Sequence, residues 1–109
     1  MISNHLALAC LGGLLVVVAL PLALRLVPMN RFYGVRIPEA FESDERWYDI
    51  NAFGGRALAV YGLVLFAFAL ATRDIAPSPR SPWSIAYMVG PLLPLMGVLS
   101  LVVSRARRR

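Results

Sequence analysis

Apolar positions along this chain run in three long blocks, not in the alternation of a strand or the one-sided stripe of a soluble helix. From Leu6 to Val27 the residues are almost all Leu, Ala, Val and Gly, with Arg25 near the far end. A second block runs from Ile50 to Thr72, broken only by Arg56, and a third from Ser81 to Ser104, with its apolar body at Ile85 to Val103. Each is long enough to cross a bilayer, which takes about 20 apolar residues in a helix. The pattern predicts an all-α membrane protein with a single domain over 1–109. It is a three-transmembrane-helix bundle with spans at about 5–27, 50–72 and 83–104, and an ordered cytoplasmic loop over 28–49 between helices 1 and 2.

Composition agrees with a membrane class: 59% of the chain is hydrophobic and 16% is charged, against roughly 25% charged in an average soluble domain. Cleavage of the first block as a signal peptide fits poorly, because no basic n-region precedes Ala7-Leu8-Ala9-Cys10 and the hydrophobic bulk follows it. Cys10 is then a helix residue facing lipid or a neighbour. A lone Cys10 and a lone His5 exclude an internal disulfide, a Cys/His metal site and a Cys–His catalytic pair.

The net charge of +5 suggests nucleic acid until the charges are placed. All basic residues are Arg: Arg25, Arg31, Arg36, Arg46 and Arg56 lie in or beside the first loop, and Arg105, Arg107, Arg108 and Arg109 in the C-terminal tail. Only Arg73 and Arg80 lie in the second loop. Short basic loops stay cytoplasmic, so the distribution predicts a membrane protein with its N-terminus outside and its C-terminus cytoplasmic. The Arg-rich tail reads as an anchor on the anionic leaflet, and direct nucleic-acid binding is not expected.

Small residues predict where the helices meet. In the second span Ala52, Gly55, Ala59 and Gly62 recur at three- and four-residue steps, leaving one face nearly bare so that another backbone can approach. Ala9 and Gly13 offer a matching stripe on the first span. In the third, Pro91 and Pro94 free the carbonyls of Tyr87 and Gly90 and predict a bend. No Asp, Glu or Lys lies in the apolar body of any span, so an ion-coupled transporter or proton relay lacks its usual ionisable group.

Between Pro28 and Arg56 the composition changes. Five of the six acidic residues fall here, Glu39, Glu42, Asp44, Glu45 and Asp49. Asn30 to Pro38 reads as an extended hairpin or turn, with Gly34 able to take a positive φ and Pro38 holding Ile37 extended. Phe32 and Tyr33 are placed at headgroup level. Ser43 followed by Asp44 and Glu45 is a helix start, and that helix can continue into the second span. On it Trp47, Asn51, Gly54 and Leu58 share a face, so the Asn51 amide can bond the returning 30–38 segment. Glu42 with Arg46 and Arg46 with Asp49 are at helix ion-pair spacing. No metal triad, phosphate loop or nucleophile–base pair is visible, and neither catalysis nor a cofactor is expected.

These loop residues resemble the SdpI/YfhL family of small bacterial multi-pass membrane proteins. The resemblance is carried by Pro28-Met29-Asn30-Arg31-Phe32-Tyr33-Gly34-Val35-Arg36-Ile37-Pro38, by Ser43-Asp44-Glu45-Arg46-Trp47 and by Asn51-Ala52-Phe53-Gly54-Gly55-Arg56. Ile37 stands where Thr is common in the family, Pro38 to Phe41 replaces an aromatic-rich run, and Asn51 stands where His is common. The resemblance implies immunity to a secreted peptide toxin, together with signalling through a transcriptional repressor held at the membrane. It also implies Asn30, Arg31, Gly34, Arg36, Pro38, Ser43, Trp47, Asn51 and Gly54 as the binding site or family motif.

The expected partners are therefore membrane lipids, a peptide toxin or a membrane-recruited repressor, and further copies of the chain as a homo-oligomer. Two other readings compete. One is a small oligomeric transporter or channel subunit using the Gly/Pro-kinked third helix. The other is an enzyme acting on lipid headgroups with Glu45 or Asp49 as base.

Overall fold

The structure is a computed structural model describing residues 3–107. Arg108 and Arg109, counted above with the basic tail, lie outside the described residues, as do Met1 and Ile2. Four α-helices follow one another: α1 (Asn4–Ala23), α2 (Asp44–Ala71), α3 (Ser84–Val89) and α4 (Leu93–Arg107). A 3₁₀ turn at Pro38–Phe41 precedes α2, and another at Gly90–Leu92 joins α3 to α4. Three stretches, Asn4–Ala23, Asp44–Ala71 and Ser84–Arg107, are long and apolar enough to span a membrane. The chain is a three-span, all-helical membrane protein, and no strand occurs among the described residues.

The first span stops four residues short of the expected boundary. Arg25 takes a left-handed conformation with φ 61°; its N–H donates to the Leu22 carbonyl, and the N–H of Leu26 donates to that of Pro21. This is the paired bonding that closes a helix end, in a position where glycine is usual. At the other end of α1 the side chain of Asn4 is buried. It donates to the Pro77 carbonyl at 3.1 Å and to Ser84 Oγ at 2.8 Å, fastening α1 to the second loop and to the start of α3.

Helices α1 and α2 pack backbone to backbone. The small stripe of α2 is the seam, as its spacing predicts: Ala52, Gly55, Ala59 and Gly62 are all buried. A Cβ on Gly62 would stand 2.7 Å from the Gly12 carbonyl oxygen, and one on Gly55 would stand 2.5 Å from the Ala23 nitrogen. The matching glycine of α1 is therefore Gly12, next to Ala9, and not Gly13, around which there is open space. Position 12 sits three residues after Ala9 and 13 four, so either fits a helical face; only the rotation of α1 against α2 decides between them.

The third span divides at its prolines, with a 3₁₀ turn at Gly90–Leu92 where the intrahelical bonds are missing. Tyr61 O–H donates to the Pro91 carbonyl at 2.8 Å. A neighbouring helix thus fastens the bend at the Pro91 carbonyl and not at the Tyr87 or Gly90 carbonyl that the prolines free, the latter taking the Leu93 N–H; such a bond is worth about 0.6–2 kcal/mol inside a membrane. Past the bend α4 touches the bundle mainly near its C-terminal end, through Val102 and Ala106. Most of its apolar surface, including Leu93, Met96, Leu99 and Leu101, faces outward, as in a span solvated by lipid.

Candidate functional site

The segment between α1 and α2 folds back under the ends of all three spans. Asn30 starts the reversal: its side-chain oxygen accepts the N–H groups of Phe32 at 2.8 Å and Tyr33 at 2.7 Å, while its amide donates to the Pro28 carbonyl. A short polar side chain satisfying its own following backbone is what makes Asn a turn residue. The result is a turn followed by bends, without the hairpin that the extended reading allowed. The hydroxyl of Tyr33 donates to the Val18 carbonyl, a full turn inside α1. Phe32 projects outward, 89% exposed.

Gly34 has φ 117°, a region closed to most side chains. It is also crowded: a Cβ there would lie 2.6 Å from Asn51 Oδ1 and 3.3 Å from both Trp47 and Leu22. Asn51 acts as the sequence predicts. Its oxygen accepts the Val35 N–H at 2.5 Å, and its amide donates to the Val35 carbonyl at 3.3 Å and to the Trp47 carbonyl at 3.0 Å. At 2% exposure, this one side chain satisfies both polar groups of a loop residue that has no helix or strand to pair with.

Trp47 is fully buried. Its indole N–H donates to the Val27 carbonyl at 2.9 Å, and its ring lies 5.4 Å from that of Phe41. Ala40 and Ile50 join the same cluster, with Val102 and Ala106 of α4. Gly54, one turn after Asn51, lets Val35 and Val102 approach; a Cβ would stand 2.9 Å from the Val35 side chain. The side-chain oxygen of Ser43 accepts the Arg46 N–H at 3.0 Å, the cap expected at the start of α2. Pro38 opens the 3₁₀ turn, preceded by an extended Ile37.

Charged residues tie this cap to the tail. Arg46 pairs with Glu42 at 3.3 Å, as its spacing predicts, and also donates to the Ala106 carbonyl at 2.6 Å. Asp49 pairs with Arg105 of α4 at 3.5 Å and not with Arg46, since Arg46 turns toward the end of α4. Glu39 pairs with Arg107 at 3.5 Å. Arg36 donates to the Arg31 carbonyl at 2.6 Å and so straps the loop, whereas the side chain of Arg31 faces outward.

The nine residues singled out from the sequence thus separate into two kinds. Asn30, Gly34, Trp47, Asn51 and Gly54 form the inner frame with Ser43 at its helix start, and Arg31, Arg36 and Pro38 lie on the outside. Sequence reading missed Glu39, Ala40 and Tyr33 as parts of the frame. Their partners, Arg107, Val102 and Val18, are too distant along the chain for any local spacing to signal. Among the described residues there is no cluster of three or more His, Cys, Asp or Glu that could hold a metal ion.

No curated protein and no solved structure matches the chain. The model of the SdpI/YfhL protein family matches residues 26–104, from just after the first helix to the last turns of the third span. That stretch is most of the chain and contains the whole inner frame, so the chain belongs to the SdpI/YfhL protein family.

Proposed function

We propose that this protein is a non-enzymatic, SdpI-type immunity or signalling protein of the bacterial inner membrane, whose first loop is a platform for a peptide toxin or a regulatory partner. One observation carries the reading. Buried side chains consume their polar groups in holding the loop, while the side chains of Phe32 and Arg31 stand outside it, although their main chain is part of the turn. Aromatic residues, Phe among them, and arginine are enriched in protein interfaces. In this reading the loop and the tail face the cytoplasm, by the excess of Arg on that side.

Deleting the gene in its host is expected to sensitise cells to their own spent medium, with protection restored by the wild-type chain. A Phe32→Ala/Arg31→Ala chain should accumulate in the membrane at the wild-type level and fail to protect. Full protection by that chain would remove the outer face of the loop from the mechanism. Loss of accumulation would make these two residues part of the frame instead.

The transporter reading has one observation in its favour, a cavity of about 440 Å³ beside the bend, lined by Tyr61, Phe68, Pro91 and Pro94 among others. Its walls are almost wholly apolar, which suits a hydrocarbon chain better than a hydrated solute. Solute flux in liposomes that depends on Pro91 or Pro94 would favour it over the platform.

A further inference from the structure

The one charge inside the second span has no use in the fold. Arg56 lies twelve residues into a 28-residue helix, about 18 Å along its axis at 1.5 Å per residue. The remainder of α2 is about 22 Å long, shorter than the roughly 30 Å hydrocarbon layer. If Ala71 marks one boundary of that layer, Arg56 lies inside the other by several ångströms, within reach of the headgroups for a long side chain. Among the described residues its guanidinium meets no carboxylate and no carbonyl. The nearby cation is already engaged: Arg105 pairs with Asp49 and lies over the Phe53 ring, 4.5 Å from its centre.

Arg56 also lines a groove. Between α2 and α4 runs a cleft of about 520 Å³ with almost wholly apolar walls, lined by Phe53, Val60, Val64, Val98 and Leu101 together with Arg56. A guanidinium in or near hydrocarbon is costly without an anion, and it matches a phosphate with two parallel hydrogen bonds. The cleft supplies what the chain itself leaves empty, an apolar track leading from that cation along the span.

From this geometry we infer that the α2–α4 cleft is a binding site for one anionic phospholipid. Its phosphate sits on Arg56, and an acyl chain lies along Val60, Val64 and Leu101. The lipid fills the gap beside a third span whose buried residues, Val102 and Ala106, both lie near its end, so the site couples the position of α4 to the lipid composition of the leaflet on the loop side.

The test uses the full chain in nanodiscs and in zwitterionic detergent, with phosphatidylglycerol and phosphatidylcholine of identical acyl chains. Native mass spectrometry after delipidation should show one phosphatidylglycerol retained per chain and no retained phosphatidylcholine, and phosphatidylglycerol should raise the thermal midpoint. Arg56→Gln should reduce the retained lipid at least five-fold while keeping its midpoint in phosphatidylcholine. Val60→Trp, which fills the outer cleft without touching the charge, should do the same. It keeps the test decisive if the first variant does not fold.

Equal retention of the two lipids by the wild-type chain would overturn the site. So would undiminished phosphatidylglycerol in both variants, which would place the lipid on the basic tail. Stabilisation by glycerophosphoglycerol as strong as by the intact lipid would overturn the acyl track.

Discussion

The side-chain oxygen of Asn51 occupies the space that a Cβ on Gly34 would fill, 2.6 Å from it, and from there accepts the N–H of Val35. Gly34→Ala meets two obstacles at once, a φ of 117° and that oxygen. The strained φ alone costs about 1–3 kcal/mol. The expected result is a clear fall in the thermal midpoint in detergent. Asn51→Ala removes the obstacle but leaves the Val35 groups without partners, at about 1–3 kcal/mol each. A double-mutant cycle should therefore show the pair losing less than the sum of the two single changes; additivity would mean the two residues are not in contact.

Trp47 combines packing with one hydrogen bond, and two substitutions separate them. Trp47→Phe keeps most of the ring and deprives the Val27 carbonyl of its donor, an expected loss of about 1–2 kcal/mol. Trp47→Ala opens a cavity in the cluster with Ala40 and Val102, at about 3–5 kcal/mol. Accumulation in the membrane should fall slightly for the first variant and severely for the second. Equal behaviour of the two would assign the role of Trp47 to the bond alone.

Adjacent glycines of α1 should respond in opposite ways. A Cβ on Gly12 would lie 2.6 Å from the Gly62 carbonyl, whereas one on Gly13 meets nothing within 4 Å. Gly12→Ala is expected to force α1 and α2 apart and lower the thermal midpoint. Gly13→Ala should be neutral or stabilising by up to about 1 kcal/mol through helix propensity. The reverse order would mean that α1 is rotated by about one residue from the arrangement described.

Arg25 holds a left-handed backbone that costs an L-residue about 1–2 kcal/mol. Arg25→Gly should raise the thermal midpoint of the purified protein. An unchanged or lower midpoint would show that the guanidinium makes up for the strain.

Topology can be read by cysteine labelling in intact cells after Cys10→Ala. Ser78→Cys is expected to react with a membrane-impermeant maleimide directly, and Ser43→Cys only after lysis. A reactive position 43 in intact cells would reverse the orientation inferred from the Arg count.

Much of the framework follows from short-range rules. The cap at Ser43, the seam of Ala52, Gly55, Ala59 and Gly62, and the reach of Asn51 into the loop depend on spacings of three or four residues, or on one amide facing one returning segment. The bend at Pro91 needs only the missing N–H. Other features turn on how distant elements meet. Asp49 has Arg46 at helical spacing but takes Arg105, because α4 ends beside α2. Asn4 reads as an unremarkable polar residue before a span, until Pro77 and Ser84 are brought to it. The choice of Gly12 over Gly13 depends on a rotation of α1 that no local pattern encodes.

Two of the attachments of the third span are made to main-chain atoms, Tyr61 to the Pro91 carbonyl and Arg46 to the Ala106 carbonyl. A carbonyl is the same whichever residue carries it, so these fastenings are indifferent to the side chains they hold in place. Provided that the helix bends where it does, its outward residues are released from specifying the fold. They are free to diverge with the thickness and chemistry of whatever membrane a lineage inhabits, while the glycines between α1 and α2 have almost no latitude.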